Sequence, residues 1–311
     1  MSPLTQAVED YIQLRRGLGF KLKDYDDYLQ KFVAFLEAQG SSRITTRLAL
    51  DFATLPNHQK AVSWARQLGI LRKFAIYRQN ADPRTEVPPV GILPFRSKGA
   101  VPYLYSEDEI VRLMDAAGAI ESRYNLQPLT YRCLFGLLAV SGMRLGEALG
   151  LPRDGIDWGQ SLLTIRGAKF GKSRLVPLHA STLAALRDYA ERRDRKFAGR
   201  PVSYFFVTSC GTRLENSNVN SVFRALSRKI GLRQPGATHG PRLHDFRHRF
   251  AVQTMLRWYR EGEDVSRKLP ILSTYLGHAH VSSTYWYLSS SSELRIAAGE
   301  LLEARWEGVA P

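Results

Sequence analysis

The sequence predicts a mainly helical protein with a small β-sheet, built as two domains. Three observations carry that prediction. Residues 3–79 place apolar side chains at helical spacing, with no strand pattern between them. Residues 81–104 then gather Pro83, Pro88, Pro89, Pro94 and Pro102 among Gly91, Ser97, Lys98 and Gly99, a composition that resists helix and marks a linker. Beyond it, short β-type runs at Leu162–Ile165, Ser173–Val176 and Tyr204–Val207 stand among further helical stretches.

In order, a first helix is read through Ala7, Tyr11, Ile12 and Leu14, ending near Gly17 and Gly19. A second runs through Tyr28, Phe32, Phe35 and Leu36 to Gly40. A shorter third lies at Leu48–Phe52, and a fourth at Gln59–Arg78. Residues 1–80 therefore read as a small helical bundle, 81–104 as the linker and 105–311 as the second domain. Ser106 and Glu109 have the spacing of a capping box, which starts a helix at about residue 107. An apolar helix at Leu129–Val140 breaks at Gly142. Gly167 to Gly171 read as the loop of a hairpin between the first two β runs. Helical patterns return at 180–195, 216–230, 244–260, 266–276 and 293–305. Ser289–Ser292 reads as a flexible polar stretch. Leu294, Ile296, Ala297, Leu301, Leu302 and Trp306 follow it as an apolar helix face that must be buried on its own domain or on a neighbour.

The formal charge of +15 suits a polyanionic partner, and both halves carry it. Residues 1–100 hold 15 Lys/Arg against 9 Asp/Glu, and the remainder 29 against 20. Two distant cysteines, Cys133 and Cys210, make neither a disulfide framework nor a zinc site, and Cys133 reads as core. With no signal peptide pattern and no apolar run of spanning length, the expectation is a cytoplasmic, nucleoid-associated protein with no membrane partner.

Four clusters in the second domain could carry chemistry. Arg144 follows the Gly142 break, where its guanidinium can meet a phosphate oxygen or simply pair with Glu147 one helical turn on. Lys169, Lys172 and Arg174 lie on the hairpin, within reach of a groove or merely solvated. His244 and Arg247 are three residues apart, so a helix places an imidazole beside a guanidinium. His244, Asp245 and His248 look superficially like a zinc-protease motif. That motif needs Glu second, and Arg247 would repel the cation. Last, His278 follows a helix-ending glycine, with Tyr285, Trp286 and Tyr287 close behind. A strand would set both tyrosines on one face, and a helix would separate them by roughly 200°.

Taken together in order and spacing, these clusters resemble the tyrosine recombinases: phage integrases, Xer-type resolvases and transposon-borne recombinases. The family pattern is Arg, a hairpin Lys, His-x-x-Arg, Leu-Gly-His, then Tyr nine residues after that last His. Arg144, Lys169, His244, Arg247, His278 and Tyr287 match it. Phe170 follows Lys169 where many members have glycine, which keeps Lys172 as a second candidate. His248 and His280 receive no role. The resemblance implies a helical, SAM-like core-binding domain and an α+β catalytic domain clamping specific recombination sites in double-stranded DNA. It implies a dimer to tetramer on DNA, with accessory recombinases as further partners, and no cofactor or metal. Tyr287 would be the nucleophile, His244 its base and Lys169 the proton donor to the leaving 5′ hydroxyl. Arg144 and Arg247 would meet the phosphate charge, with His278 bonding the phosphate. Arg15, Arg16, Lys21, Lys23, Arg66, Lys73, Lys172 and Arg174 are the expected further DNA contacts. A type IB topoisomerase, with similar chemistry, and a DNA-binding protein without catalysis are the rival readings.

Overall fold

Helices begin in this chain where the sequence supplies start signals. In the computed structural model, which describes residues 2–20, 22, 24–55, 61–94, 102–122, 126–166, 173–237, 239–278 and 280–306, α1 (Pro3–Gly17) opens with Pro3 at its first position. The Ser2 hydroxyl there accepts from the Thr5 amide at 3.2 Å. After α2 (Tyr25–Ala38), Thr45 caps α3 (Thr46–Thr54) in the same manner, accepting from the Leu48 amide. Each such cap contributes about 1 kcal/mol. With α4 (Ala61–Gln79) these helices bury Val8, Leu29, Phe32, Leu36, Leu71 and Phe74 as one core.

The chain divides into two compact units, residues 1–100 and 101–311. The first part of the segment read as a linker, residues 81–104, packs on the first unit. Thr85 is buried, and Val87 and Leu93 pack on the helical core. Arg72 donates to the Pro88 and Pro89 carbonyls, and the Glu86 carboxylate accepts from the Thr46 amide. Proline carbonyls keep their acceptor capacity, so a proline-rich segment can still be pinned by side-chain donors. Residues 95–101 lie outside the described set.

The second unit starts with α5 (Glu107–Gly118), whose capping box forms as expected: the Glu109 amide donates to the Ser106 hydroxyl and the Ser106 amide to the Glu109 carboxylate. Next come α6 (Leu126–Ser141) and the one-turn helix α7 (Leu145–Leu149). Strands β1 (Ile156–Asp157), β2 (Leu162–Ile165) and β3 (Arg174–Pro177) form an antiparallel sheet in that order, with Leu163 opposite Val176. Helices α8 (Ala180–Lys196), α9 (Asn216–Lys229), α10 (His244–Arg260), α11 (Val265–Leu276), α12 (Ser282–Ser290) and α13 (Ser292–Trp306) complete it. Among the described residues no helix is long and apolar enough to cross a membrane.

Two expectations are corrected. Tyr204–Val207 is not a strand: Tyr204 and Val207 make only isolated bridges, and the adjacent Phe205 and Phe206 are both buried. Neighbouring residues of a strand point to opposite faces, so two consecutive core rings mark a segment threading the interior. Ser289–Ser292 is not a free stretch either. α12 runs to Ser290, and the buried Ser291 hydroxyl accepts from the Leu294 amide at the start of α13. The apolar face expected on α13 is split, because Leu294 is buried beside α10 while Ile296 and Trp306 are exposed. The side chains of Leu301 and Leu302 lie outside the described set.

Candidate active site

Two helix ends build the floor of the site. α6 stops at Gly142 and α11 at Gly277, both at positive φ. Neither position has room for a side chain. A Cβ on Gly142 would sit 2.6 Å from a Phe250 ring carbon, and one on Gly277 would sit 2.8 Å from Arg174 Nη1. The orphan carbonyls left at such ends need donors, and arginines supply them. Arg247, 1% exposed, donates through Nη1 to the Gly142 carbonyl at 2.9 Å and through Nη2 to the Leu276 carbonyl at 2.6 Å. Arg144 Nη2 donates to the Gly277 carbonyl at 2.9 Å.

Arg144 is held a second time at the start of α7. Its backbone amide donates to Glu147 Oε2 at 2.9 Å and its Nη1 to Oε1 at 2.8 Å. The pairing of Arg144 with Glu147 weighed from sequence is therefore present, and it fixes the guanidinium. Arg174 completes the cluster from β3, with Nη1 3.0 Å and Nη2 2.7 Å from the same carboxylate. Expected as a DNA contact, Arg174 instead sits with its side chain only 10% exposed and spends its fork on Glu147. Burial alone would raise the Glu147 pKa. The hydrogen bonds and charges of Arg174 and Arg144 outweigh it and hold the carboxylate at about 2.

α10 presents His244, Arg247 and His248 on neighbouring turns. Its first turn is set by the buried Asp245 carboxylate, which accepts from the Arg242 amide at 2.9 Å and from the Arg242 guanidinium. Asp245 is thus spent on Arg242, and among the described residues no three His, Cys, Asp or Glu side chains gather as metal ligands. His244 keeps an open edge toward solvent. Partial burial and the Arg247 charge lower its pKa. His278, just past α11, has its Nδ1 2.8 Å from the Thr284 hydroxyl. Burial, then the charges of Arg247 and Arg144, bring it down to about 4.

α12 settles the two tyrosines. It is helical, so Tyr285 and Tyr287 point to opposite sides: Tyr285 is 51% exposed and Tyr287 2% exposed. The Tyr287 ring stacks on His278 at 6.1 Å between centroids, and the Arg247 and Arg144 charges bear on its hydroxyl. Burial raises the Tyr287 pKa, and the charges of Arg247 and Arg144 only partly oppose it. The phenol is protonated at neutral pH and needs a base to become a nucleophile.

Five of the expected catalytic residues, Arg144, His244, Arg247, His278 and Tyr287, meet in one place. Lys169 and Lys172 lie outside the described residues, as do Lys21 and Lys23. Arg15, Arg16, Arg66 and Lys73 belong to the first unit. There Arg66 and Lys73 are exposed, Arg16 faces Asp26 at 3.5 Å, and Arg15 lies over the Phe20 ring at 3.8 Å. Sequence reasoning missed the anchoring duties of the Gly142, Gly277 and Leu276 carbonyls and the sharing of Glu147 with Arg174. Three are backbone carbonyls, which leave no signal beyond a helix-stopping glycine.

Residues 104–293 match the model of the phage integrase family. The integrase/recombinase y4rB of Sinorhizobium fredii is 54% identical over 99% of both chains. The tyrosine recombinase XerD of Mycobacterium tuberculosis H37Rv is 31% identical over 91% of both. Among solved structures, the Tn1549 transposon integrase in complex with transposon right end DNA superposes with a TM-score of 0.66 at 15% identity over 100% of both chains. The XerH site-specific recombinase bound to difH gives 0.64 at 19% identity, over 91% of this chain and 79% of that one. This chain belongs to the phage integrase family, the tyrosine recombinases.

Proposed function

We propose that this protein cuts and rejoins DNA at specific recombination sites through a 3′-phosphotyrosyl link at Tyr287, without a metal. The observation that carries the residue assignment is the buried Tyr287 stacked on His278 at 6.1 Å, beside a cluster in which Arg144, Arg174 and Arg247 outnumber the Glu147 carboxylate. The Tyr287 oxygen attacks the phosphorus and its proton passes to His244. The bond from phosphorus to the 5′ oxygen breaks, and Lys169 protonates that oxygen. Extra negative charge on the non-bridging oxygens is met by Arg144 and Arg247, which are fixed in advance and reorganise little as charge develops. His278 hydrogen-bonds the phosphate. The phosphate also offsets the positive field that lowers the histidine pKa values, so bound DNA makes His244 a stronger base. Rejoining reverses these steps with another strand's 5′ hydroxyl and needs no ATP, because the tyrosyl ester conserves the bond energy.

The first unit binds the duplex through its exposed cations, and the active form is a multimer on DNA, consistent with the dimeric and tetrameric DNA complexes described for lambda integrase. The site of action is the nucleoid DNA of the cytoplasm. Trapping tests the reading: wild-type protein incubated with duplex DNA in EDTA and quenched in SDS should carry a covalent DNA adduct. Tyr287→Phe should lose it and Tyr285→Phe should keep it. An adduct that survives in Tyr287→Phe, or one that requires added magnesium or zinc, overturns the assignment.

A further inference from the structure

One buried histidine in this cluster has no part in the reaction as drawn. His248 follows Arg247 on α10 and is 9% exposed. Its ring lies edge-on to His244, 4.7 Å between centroids, and edge-on to Tyr287 at 5.3 Å. Trp286 closes a third side at 5.4 Å. A single imidazole therefore touches both the base and the nucleophile assigned above, and it ties α10 to α12.

Its hydrogen bonding differs from that of its neighbour. His278 is oriented through Nδ1 by the Thr284 hydroxyl. The Nδ1 of His248 is buried and finds no partner among the described residues. A buried polar atom without a partner is a cost to folding and gives the ring no fixed hydrogen-bond direction at that atom. Ring packing, not a bond at Nδ1, orients this side chain.

We propose that His248 is a positioning residue for strand cleavage, a neutral wedge whose ring faces set the Tyr287 ring and its distance from His244. The inference rests on the recombinase reading above. A proton-transfer role fits poorly. Burial first, then the neighbouring His244, brings the His248 pKa to about 4, too weak a base for a phenol whose own pKa is raised. Arg242 and Arg247 oppose a charge there from the same side, Asp245 offsets them only in part, and α12 offers Tyr287 and Trp286, neither of them an anion at neutral pH. The ring's shape is what the site uses.

The test compares His248→Ala and His248→Phe with wild type and Tyr287→Phe in the full-length chain. The probe is a duplex selected from random-sequence DNA by binding to the wild-type protein, and single-turnover adduct formation is measured with protein in excess across pH 6 to 9. Melting temperature and DNA Kd are measured alongside. His248→Ala should form adduct roughly 10- to 100-fold more slowly while DNA Kd stays within about threefold, because a small displacement of a nucleophile costs rate and not binding. His248→Phe should recover to within about threefold of wild type with the same pH–rate profile, since it restores the wedge without the nitrogens. A Phe variant as slow as Ala, or one with a displaced pH profile, means that a ring nitrogen takes part, and the proposal is wrong. An Ala variant cleaving at the wild-type rate also overturns it. So does a loss of cleavage that only tracks lost folding or DNA binding in both variants. If wild type makes no adduct at all, the recombinase reading fails and this inference fails with it.

Discussion

Arg16 and Arg66 of the first unit and Arg144, Arg174 and Arg247 of the second are chemically identical and physically opposite. In the first unit Arg16 and Arg66 stand in water, and Arg16 meets Asp26 across 3.5 Å in an exposed pair. Such a pair contributes at most about 1 kcal/mol and is screened by salt. In the second unit Arg144, Arg174 and Arg247 are each held at two points, by helix-end carbonyls or the Glu147 carboxylate. A solvated cation draws a polyanion over a distance but must reorganise on contact. A clamped cation has given up that freedom during folding, so it stabilises charge as it develops. On the function proposed above, the difference separates binding from catalysis, and it can be attacked from both sides.

The largest effect is expected at the most tightly held cation. Arg247→Lys keeps the charge but cannot span the Gly142 and Leu276 carbonyls with a two-pronged fork. Adduct formation should fall by about 10²–10³-fold with DNA affinity little changed. An equal loss of affinity would make Arg247 a binding residue like those of the first unit. Glu147→Gln should come next. Removing the shared anion leaves Arg144 and Arg174 facing each other, so the melting temperature should drop along with the cleavage rate. Breaking a buried pair of this kind costs about 3–5 kcal/mol. A variant as stable as wild type would show that the clamp is dispensable.

A smaller and different response is expected from the free cations. Replacing Arg66 and Lys73 with alanine should weaken binding several-fold and flatten its dependence on log salt by about 0.9 for each phosphate that is no longer neutralised. Cleavage at saturating protein should stay at the wild-type rate. Arg174→Lys makes the sharper contrast, for it should slow cleavage while leaving the salt slope intact. If the slope falls instead, Arg174 touches DNA as the hairpin position first suggested.

The smallest effect concerns pH. His248 and His278 both have folded pKa values of about 4, below the ordinary histidine value of 6.5. Between those values the unfolded chain takes up protons that the folded chain refuses, so stability falls as pH drops from about 6.5 to 4. Glu147 extends the decline from about 4.5 to 2 for the same reason. Melting curves should show His248→Phe losing less stability than wild type over the upper window. Parallel curves would mean that the histidine is not held neutral by its surroundings.

Helix spacing was legible where a periodic apolar face and its cap lie within one short stretch, as with Ser106 and Glu109. That Arg144, His244, Arg247, His278 and Tyr287 belong to one cluster was legible too, because their order and spacing match a family pattern and the helices bring them together. Tyr204–Val207 misled because an apolar run reads alike as strand or as buried loop. How the proline-rich segment packs was not legible, because proline content says nothing of whether Arg72 will reach back to hold it.

By itself, then, the sequence determined which side chains could react and which stretches coil, since both depend on residue type and local spacing. The tertiary structure alone decided how Glu147 is shared and which carbonyls anchor Arg144 and Arg247. Those depend on contacts between residues 29, 105 and 133 positions apart in the chain. A guanidinium has donors in every sequence, and only the packed helix ends bring the acceptors that aim it.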